Sequence, residues 1–153
     1  MTVSDKSIIR LCAPLFVCVC AFAVSLFFFL SSQPKDRRVL YFFSYDSDRA
    51  CTEVRYLPSA PVNGSVAMFV DELLLGPITN RYKRLFPRGT TAEYCFEKNG
   101  VLYVGLSKDA LYGVDGVGIR ESVSLFRLNI VKNFTYLNKI DVAIDGTSVY
   151  EDS

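Results

Sequence analysis

The sequence predicts an α+β fold: one mixed β-sheet of about four to six strands with two helices on one face, preceded by an N-terminal transmembrane helix. Three observations carry that expectation. Leu11 to Leu30 (LCAPLFVCVCAFAVSLFFFL) contains no charged residue. After it, β-rich runs in hairpin-like pairs are mixed with two amphipathic stretches, rather than alternating strictly with them. Asn99-Gly100, the strongest short-range hairpin signal, sits between two of those runs.

As a helix, Leu11–Leu30 would be ~30 Å long at about 1.5 Å per residue, matching a bilayer core. Lys6 and Arg10 before it, and Ala21-Phe22-Ala23 within it, also fit a cleavable signal peptide. The apolar run continues past that site through Ser25-Leu26-Phe27-Phe28-Phe29-Leu30, so an uncleaved signal anchor is the expectation. Lipoprotein processing fits poorly, because Cys18 and Cys20 follow valines. Lys35, Arg37 and Arg38 nearly balance Lys6 and Arg10, so charge alone does not orient the span. Since everything foldable lies after it, residues 1–34 read as tail, anchor and linker. Residues 35–153 read as a domain on the extracytoplasmic side of the cytoplasmic membrane.

Within that domain, Arg38–Tyr45 (RVLYFFSY) is nearly all apolar, as in a strand covered on both faces. Thr52–Leu57 (TEVRYL) alternates and predicts a second strand, hairpinned to the first. A helix is predicted over Val66–Leu75, with Ser65 or Asn63 as N-cap and Val66, Phe69, Val70, Leu73 and Leu74 on one face. Gly76 supplies a left-handed end and Pro77 stops the helix. The Asn99-Gly100 hairpin joins TTAEYCFE to VLYVGLS. Ile119, Val123, Phe126, Ile130 and Phe134 then step at helical spacing. Lys139–Gly146 (KIDVAIDG) is a strand closed by Asp-Gly, followed by a short edge strand in TSVY.

At 153 residues the chain has room for about one domain beside its anchor. Of its 17 Lys and Arg and 16 Asp and Glu, only Lys6, Arg10 and Asp5 precede residue 35, which leaves the domain formally neutral. Neutrality argues against nucleic-acid binding. The chain has no histidine, which removes the usual general base, the Ser-His and Cys-His pairs and the commonest metal ligand. Gly113, Gly116 and Gly118 match no nucleotide-binding fingerprint. Asp46 and Asp48 lack the further ligands of a calcium loop and read as a turn. Glu53, Glu93, Glu97 and Glu121 are available for a carboxylate pair, but nothing pairs any two. No catalytic residue, metal or cofactor is expected.

Two features remain. Arg81, Lys83, Arg84 and Arg88 cluster around Tyr82, Leu85 and Phe86, either as a solvated loop or as a contact for an anionic polymer or an acidic partner. Cys51 and Cys95 are the two cysteines of the domain. In an oxidising compartment they are either a disulfide or two free thiols, which spacing alone does not decide.

An ordered series now stands out: LYFF, EVR, ELLLGP, LFPRGT, VGLS and IDVAIDG. It resembles the GerMN domain, whose pattern is an apolar-aromatic strand, a v-x-R element, a helix closing on L-L-x-G-P, a loop L-P-x-G-T, a V-D-L-S strand and a strand ending V-D-G. Arg55, Leu74, Gly76, Pro77, Pro87, Gly89, Thr90, Leu106, Asp145 and Gly146 match that pattern, whereas Phe86 stands for its leucine and Gly105 for its aspartate. The resemblance implies an α+β domain tethered to the membrane and facing the envelope space. It implies a non-catalytic part in sporulation- or germination-type complex assembly through protein–protein contacts, as one member supports a trans-envelope complex in spore formers. Binding to peptidoglycan or an anionic ligand, or an accessory role in wall modification, is the alternative. The matched residues are caps and turns with structural roles.

Overall fold

The computed structural model describes residues 3–31, 34–47, 49–114 and 116–149, with the side chains of 3–13 and 31 outside that description. Asp48 of the calcium reading and Tyr150 of the edge-strand reading therefore lie outside the described residues. The chain divides into two compact units, Met1–Pro34 and Lys35–Ser153.

The first unit is one helix, α1 (Val3–Ser31), with Pro14 inside it. Its described side chains, 14–30, are all exposed, including Phe16, Phe22, Phe27, Phe28 and Phe29. Among the described residues no helix is long and apolar enough to cross a membrane. The side chains described in α1 stop short of the ~20 residues a crossing takes, so the structure does not show the expected transmembrane helix.

The second unit runs β1 (Lys35–Ser44), β2 (Ala50–Pro58), α2 (Ser65–Leu75), β3 (Tyr82–Lys83), β4 (Ala92–Lys98), β5 (Val101–Leu106), a 3-10 turn (Lys108–Tyr112), α3 (Ile119–Asn133), β6 (Lys139–Ile144) and β7 (Thr147–Ser148). Every residue of the hydrophobic core lies within this unit, so it has what it needs to fold by itself. Leu40 and Phe42 of β1, Phe69, Val70 and Leu73 of α2, Leu102, Val104 and Leu106 of β5, and Phe126 and Ile130 of α3 are its buried centre. Phe69 meets Phe134 edge-on at 5.3 Å, and Phe86 meets Phe126 at 5.6 Å.

The strands form two sheets, not the single sheet expected. One has the order β2-β1-β3 and the other β4-β5-β6-β7. The first is antiparallel throughout. The second is mixed, because β5 and β6 are parallel and α3 lies in the crossover between them.

The physical reason for the division lies at the inner edge of β1. Two-residue β3 covers only Phe43 and Ser44. Beyond it, side chains of α3 replace a strand. The Tyr41 N–H donates to Asn129 Oδ1 at 2.7 Å, while Asn129 Nδ2 donates to the Tyr41 carbonyl at 2.9 Å. One helical turn on, the Val39 N–H donates to Asn133 Oδ1 at 3.1 Å and Asn133 Nδ2 donates to the Val39 carbonyl at 2.7 Å. Each amide reproduces the two bonds a neighbouring strand residue would make. With its edge closed, β1 accepts no strand from the second group. Arg38 fastens the end of this seam, donating from Nη1 to the Asn133 carbonyl at 2.9 Å with its guanidinium 4.5 Å from the Phe134 ring centre.

Two local expectations change as well. The N-cap of α2 is Gly64, at φ 88, and Ser65 Oγ instead bonds the Ser59 carbonyl at 3.3 Å. β1 is covered on one face only: Leu40 and Phe42 are buried, whereas Val39, Tyr41 and Phe43 on the other face are half-buried. The hairpin at Asn99-Gly100 is as expected, with φ 53 and 75 as a type I′ turn requires.

Asn129 is fully buried. Replacing it with leucine strands the Tyr41 N–H and carbonyl, each a loss of about 1–3 kcal/mol. Asn129→Leu should lower the urea-unfolding free energy of residues 35–153 by ~2–6 kcal/mol. Asn133→Leu, at the half-buried end of the seam, should lower it by less.

Candidate binding cleft

β2 places Arg55 on the core side of its sheet, where a guanidinium retains its charge only with close partners. It is 7% exposed and has four groups around it. Its Nε and Nη2 donate to Glu53 Oε1 at 2.8 and 2.6 Å. Its Nη1 donates to Glu72 Oε2 at 2.7 Å and to the Glu72 carbonyl at 3.1 Å, and its Nη2 to the Gly76 carbonyl at 2.6 Å. Glu53 in turn accepts the Ile78 N–H at 3.0 Å. One side chain thereby ties β2 to the last turn of α2 and to the residues that follow it.

That last turn carries orphan carbonyls and the negative end of the helix dipole, which cations offset. Arg84 supplies a second cation, donating from Nη1 to the Leu75 carbonyl. Gly76 lies between the two arginines at φ 83, and a Cβ there would come within 2.8 Å of Arg84 Cγ. Glycine at this position thus satisfies both the backbone and the close approach of Arg84. Pro77 follows, half-buried, and Leu74 sits in the core.

The second motif is a turn hung on the core. Leu85 and Phe86 are 1% and 2% exposed. The Thr90 N–H donates to the Pro87 carbonyl at 3.3 Å around Gly89, whose φ is 95. That is the positive-φ third position of a type II turn. Thr90 itself is buried, and its Oγ1 has no hydrogen-bond partner among the described residues.

Between the two motifs the chain leaves a cleft of about 650 Å³. Tyr45, Pro77, Tyr82, Arg84, Pro87 and Arg88 line it, together with Ile78–Asn80 and the Gly113–Val114 loop. Of the four predicted basic residues, the structure brings Arg84 and Arg88 into the cleft. Lys83 reaches its rim, with Nζ 5.6 Å from the Tyr45 ring centre. Arg81 is exposed and contributes backbone, its carbonyl accepting the Tyr45 N–H at 3.1 Å. Among the described residues no carboxylate forms an ion pair with any of the four. Tyr82, beside the basic cluster in the sequence, lines the cleft as well, whereas Tyr45 and the Ile78–Asn80 segment were not singled out in the sequence. A bend and a loop leave no periodicity to find them by.

The remaining predicted residues do not line the cleft. Leu106 is fully buried, and Asp145 and Gly146, at φ 50 and 73, form the turn from β6 to β7. Tyr94 lies across Gly105, where a Cβ would meet its Cε1 at 2.2 Å. This explains why glycine replaces the aspartate of the family pattern here. Cys51 in β2 and Cys95 in β4 are free thiols in different sheets. Burial, then the Asp71 and Glu97 carboxylates, push the Cys95 thiol from 9.0 up to about 11. Glu97 accepts from the Tyr136 hydroxyl at 3.0 Å and Glu121 accepts the Gly118 N–H at 3.2 Å, so with Glu53 three of the four glutamates hold structure. Among the described residues no group of three His, Cys, Asp or Glu could hold a metal ion.

Two outcomes follow. Gly76→Ala meets both backbone strain and Arg84 and should lose about 1–3 kcal/mol of stability. Gly64→Ala, at φ 88 with nothing within 4 Å of its Cβ, should lose the strain alone, about 1 kcal/mol. Paired urea titrations compare them. For Cys95, the folded state holds its proton more tightly than the unfolded chain, so its contribution to stability is complete below pH ~9 and lost as pH rises through ~11. Iodoacetamide should reach Cys95 only as the pH approaches 11, read by mass spectrometry of the folded domain.

Comparison with known proteins agrees with this fold. The first GerMN domain of the sporulation protein GerM from Bacillus subtilis is 18% identical, with a TM-score of 0.56 over 76% of this chain and 87% of that one. The tandem GerMN domains of the same protein are 12% identical, with a TM-score of 0.59 over 74% of this chain and 40% of that two-domain chain. At such identities the likeness shows the fold. No curated protein matches the chain. The family model described as "Germane: Sporulation and spore germination" matches residues 39–150, nearly the whole second unit, and the chain belongs to that family, the GerMN domains.

Proposed function

We propose that this protein is a membrane-anchored, envelope-facing, non-catalytic assembly module, and that its cleft receives an acidic segment of an envelope partner protein. The observation that carries the reading is the pairing of Arg84 and Arg88 in one cleft without a carboxylate partner among the described residues. Guanidinium groups recognise carboxylates through bidentate bonds. Here they stand beside Pro77, Pro87, Tyr45 and Tyr82, the apolar and ring surfaces that extended peptides pack against. Family membership supports the setting, since the matching family is one of sporulation and spore germination. The uncharged run Leu11–Leu30 and the exposed apolar side chains of α1 support the anchor.

A second reading keeps the cleft and changes its occupant to an anionic wall polymer. One experiment separates them. A photo-crosslinking residue at position 79, in the full chain in its own membranes, should capture a discrete protein. Arg84→Gln with Arg88→Gln should reduce that product at least ~10-fold. Capture that ignores the two substitutions would overturn the acidic-segment reading. Retention on sedimented peptidoglycan that the same substitutions abolish would favour the polymer. A reporter fused after residue 153 that is active only in the cytoplasm would remove the envelope setting altogether.

A further inference from the structure

The edges of the two sheets are not treated alike. β3 and β7 are two residues each. β4 carries Glu93, Glu97 and Lys98 and a register irregularity between Ala92 and Tyr94. These are devices that discourage another strand from pairing. The inner edge of β1 is closed by Asn129, Asn133 and β3. β2 is guarded less: its charges, Glu53 and Arg55, pair with each other on the core side and its proline, Pro58, stands only at its end. It is nine residues long, pairs with β1 in continuous register, and has no other strand beside it in the sheet.

The direction of its free bonds follows from β1. Val39 and Tyr41 turn their N–H and carbonyl groups to the asparagines, away from β2. The alternate residues of β1 therefore bond β2, and their partners are Leu57, Arg55, Glu53 and Cys51. Thr52, Val54 and Tyr56 are left aiming their backbone groups at the open edge. Their side chains line the outer face, with Val54 42% and Tyr56 64% exposed.

We propose that two copies of this protein pair through β2, antiparallel about a two-fold axis at Val54. Val54 is the midpoint of Ala50–Pro58, so this register alone overlaps the whole strand. It sets Val54 against its own copy, Thr52 against Tyr56 and Glu53 against Arg55. Moving the axis by one residue either way, a slide of two residues between the strands, puts Glu53 opposite Glu53 or Arg55 opposite Arg55, and like charges directly opposite are disfavoured. The two-fold contact is self-complementary, as closed homodimers require. It joins two three-stranded sheets into one of six strands and continues the half-buried Val39, Tyr41 and Phe43 face across the axis.

The test uses residues 35–153, whose core is complete. Sedimentation equilibrium should show a concentration-dependent monomer–dimer equilibrium. Val54→Lys sets two ammonium groups against each other at an exposed site, and Thr52→Lys adds charge beside the axis. Both should leave the circular dichroism spectrum unchanged and weaken the dimer at least ~10-fold. In a Cys51→Ser background, Val54→Cys should oxidise to a disulfide-linked dimer, since a hydrogen-bonded antiparallel pair has Cα atoms ~5.5 Å apart, within disulfide reach. Thr52→Cys should not, because its own copy lies four residues away, ~13 Å. A domain that stays monomeric at every concentration would overturn the proposal. So would a dimer that cross-links as well at 52 as at 54.

Discussion

A single buried guanidinium organises the part of this domain that matters most. Arg55 is too deeply placed to keep its charge without close partners, and it has them: two carboxylates and two carbonyls, drawn from β2 and from the end of α2. Breaking such a cluster costs far more than forming it gains, because each member left alone is a desolvated charge. The geometry of the helix end is therefore fixed by β2. The other oxygen of the Glu53 carboxylate then holds the Ile78 N–H, the first backbone step beyond Gly76-Pro77. From there the chain enters the cleft, and Arg84 returns to cap the same helix. Arginine at 55, glycine at 76 and arginine at 84 are one arrangement seen from three places in the sequence.

The other organising element is the amide seam. Asparagine has one acceptor and two donors on a short planar group, which matches the N–H and carbonyl of an extended residue. Two of them at helical spacing along α3 act as two residues of a strand, without the freedom of a real strand to slip or recruit another. This divides the strands into two sheets and leaves the sheet of β1 open on one side only. The longest open edge strand among the described residues, β2, is what sealing the others leaves.

Much of this was legible in the sequence, and the limits are physical. Elements with their own period or punctuation were readable: the α2 stripe closing at Gly76-Pro77, the Asn99-Gly100 hairpin, the α3 stripe and the Asp145-Gly146 turn. The motifs identified the family from Arg55 to Gly146. What could not be read depends on contacts between distant residues. Asn129 and Asn133 lie beside an apolar stripe and look like ordinary polar helix positions until β1 is placed next to them. With that seam hidden, one sheet was the simplest expectation. Likewise Arg81, Lys83, Arg84 and Arg88 formed one cluster in sequence. The fold splits them, because Arg84 answers to a helix end while Arg81 supplies backbone to Tyr45. Tyr82 was visible only as a neighbour of that cluster, and Tyr45, from a bend, had no pattern at all.

The claim that Arg55 and its carboxylates form one unit is tested most directly by a double-mutant cycle in residues 35–153. Arg55→Met, Glu53→Gln and the double variant would be compared by urea unfolding. If the pair is the constraint described here, each single change leaves a buried group without its partner, and the double change loses less than their sum by more than ~1 kcal/mol. Additive losses, with no coupling between 53 and 55, would contradict it.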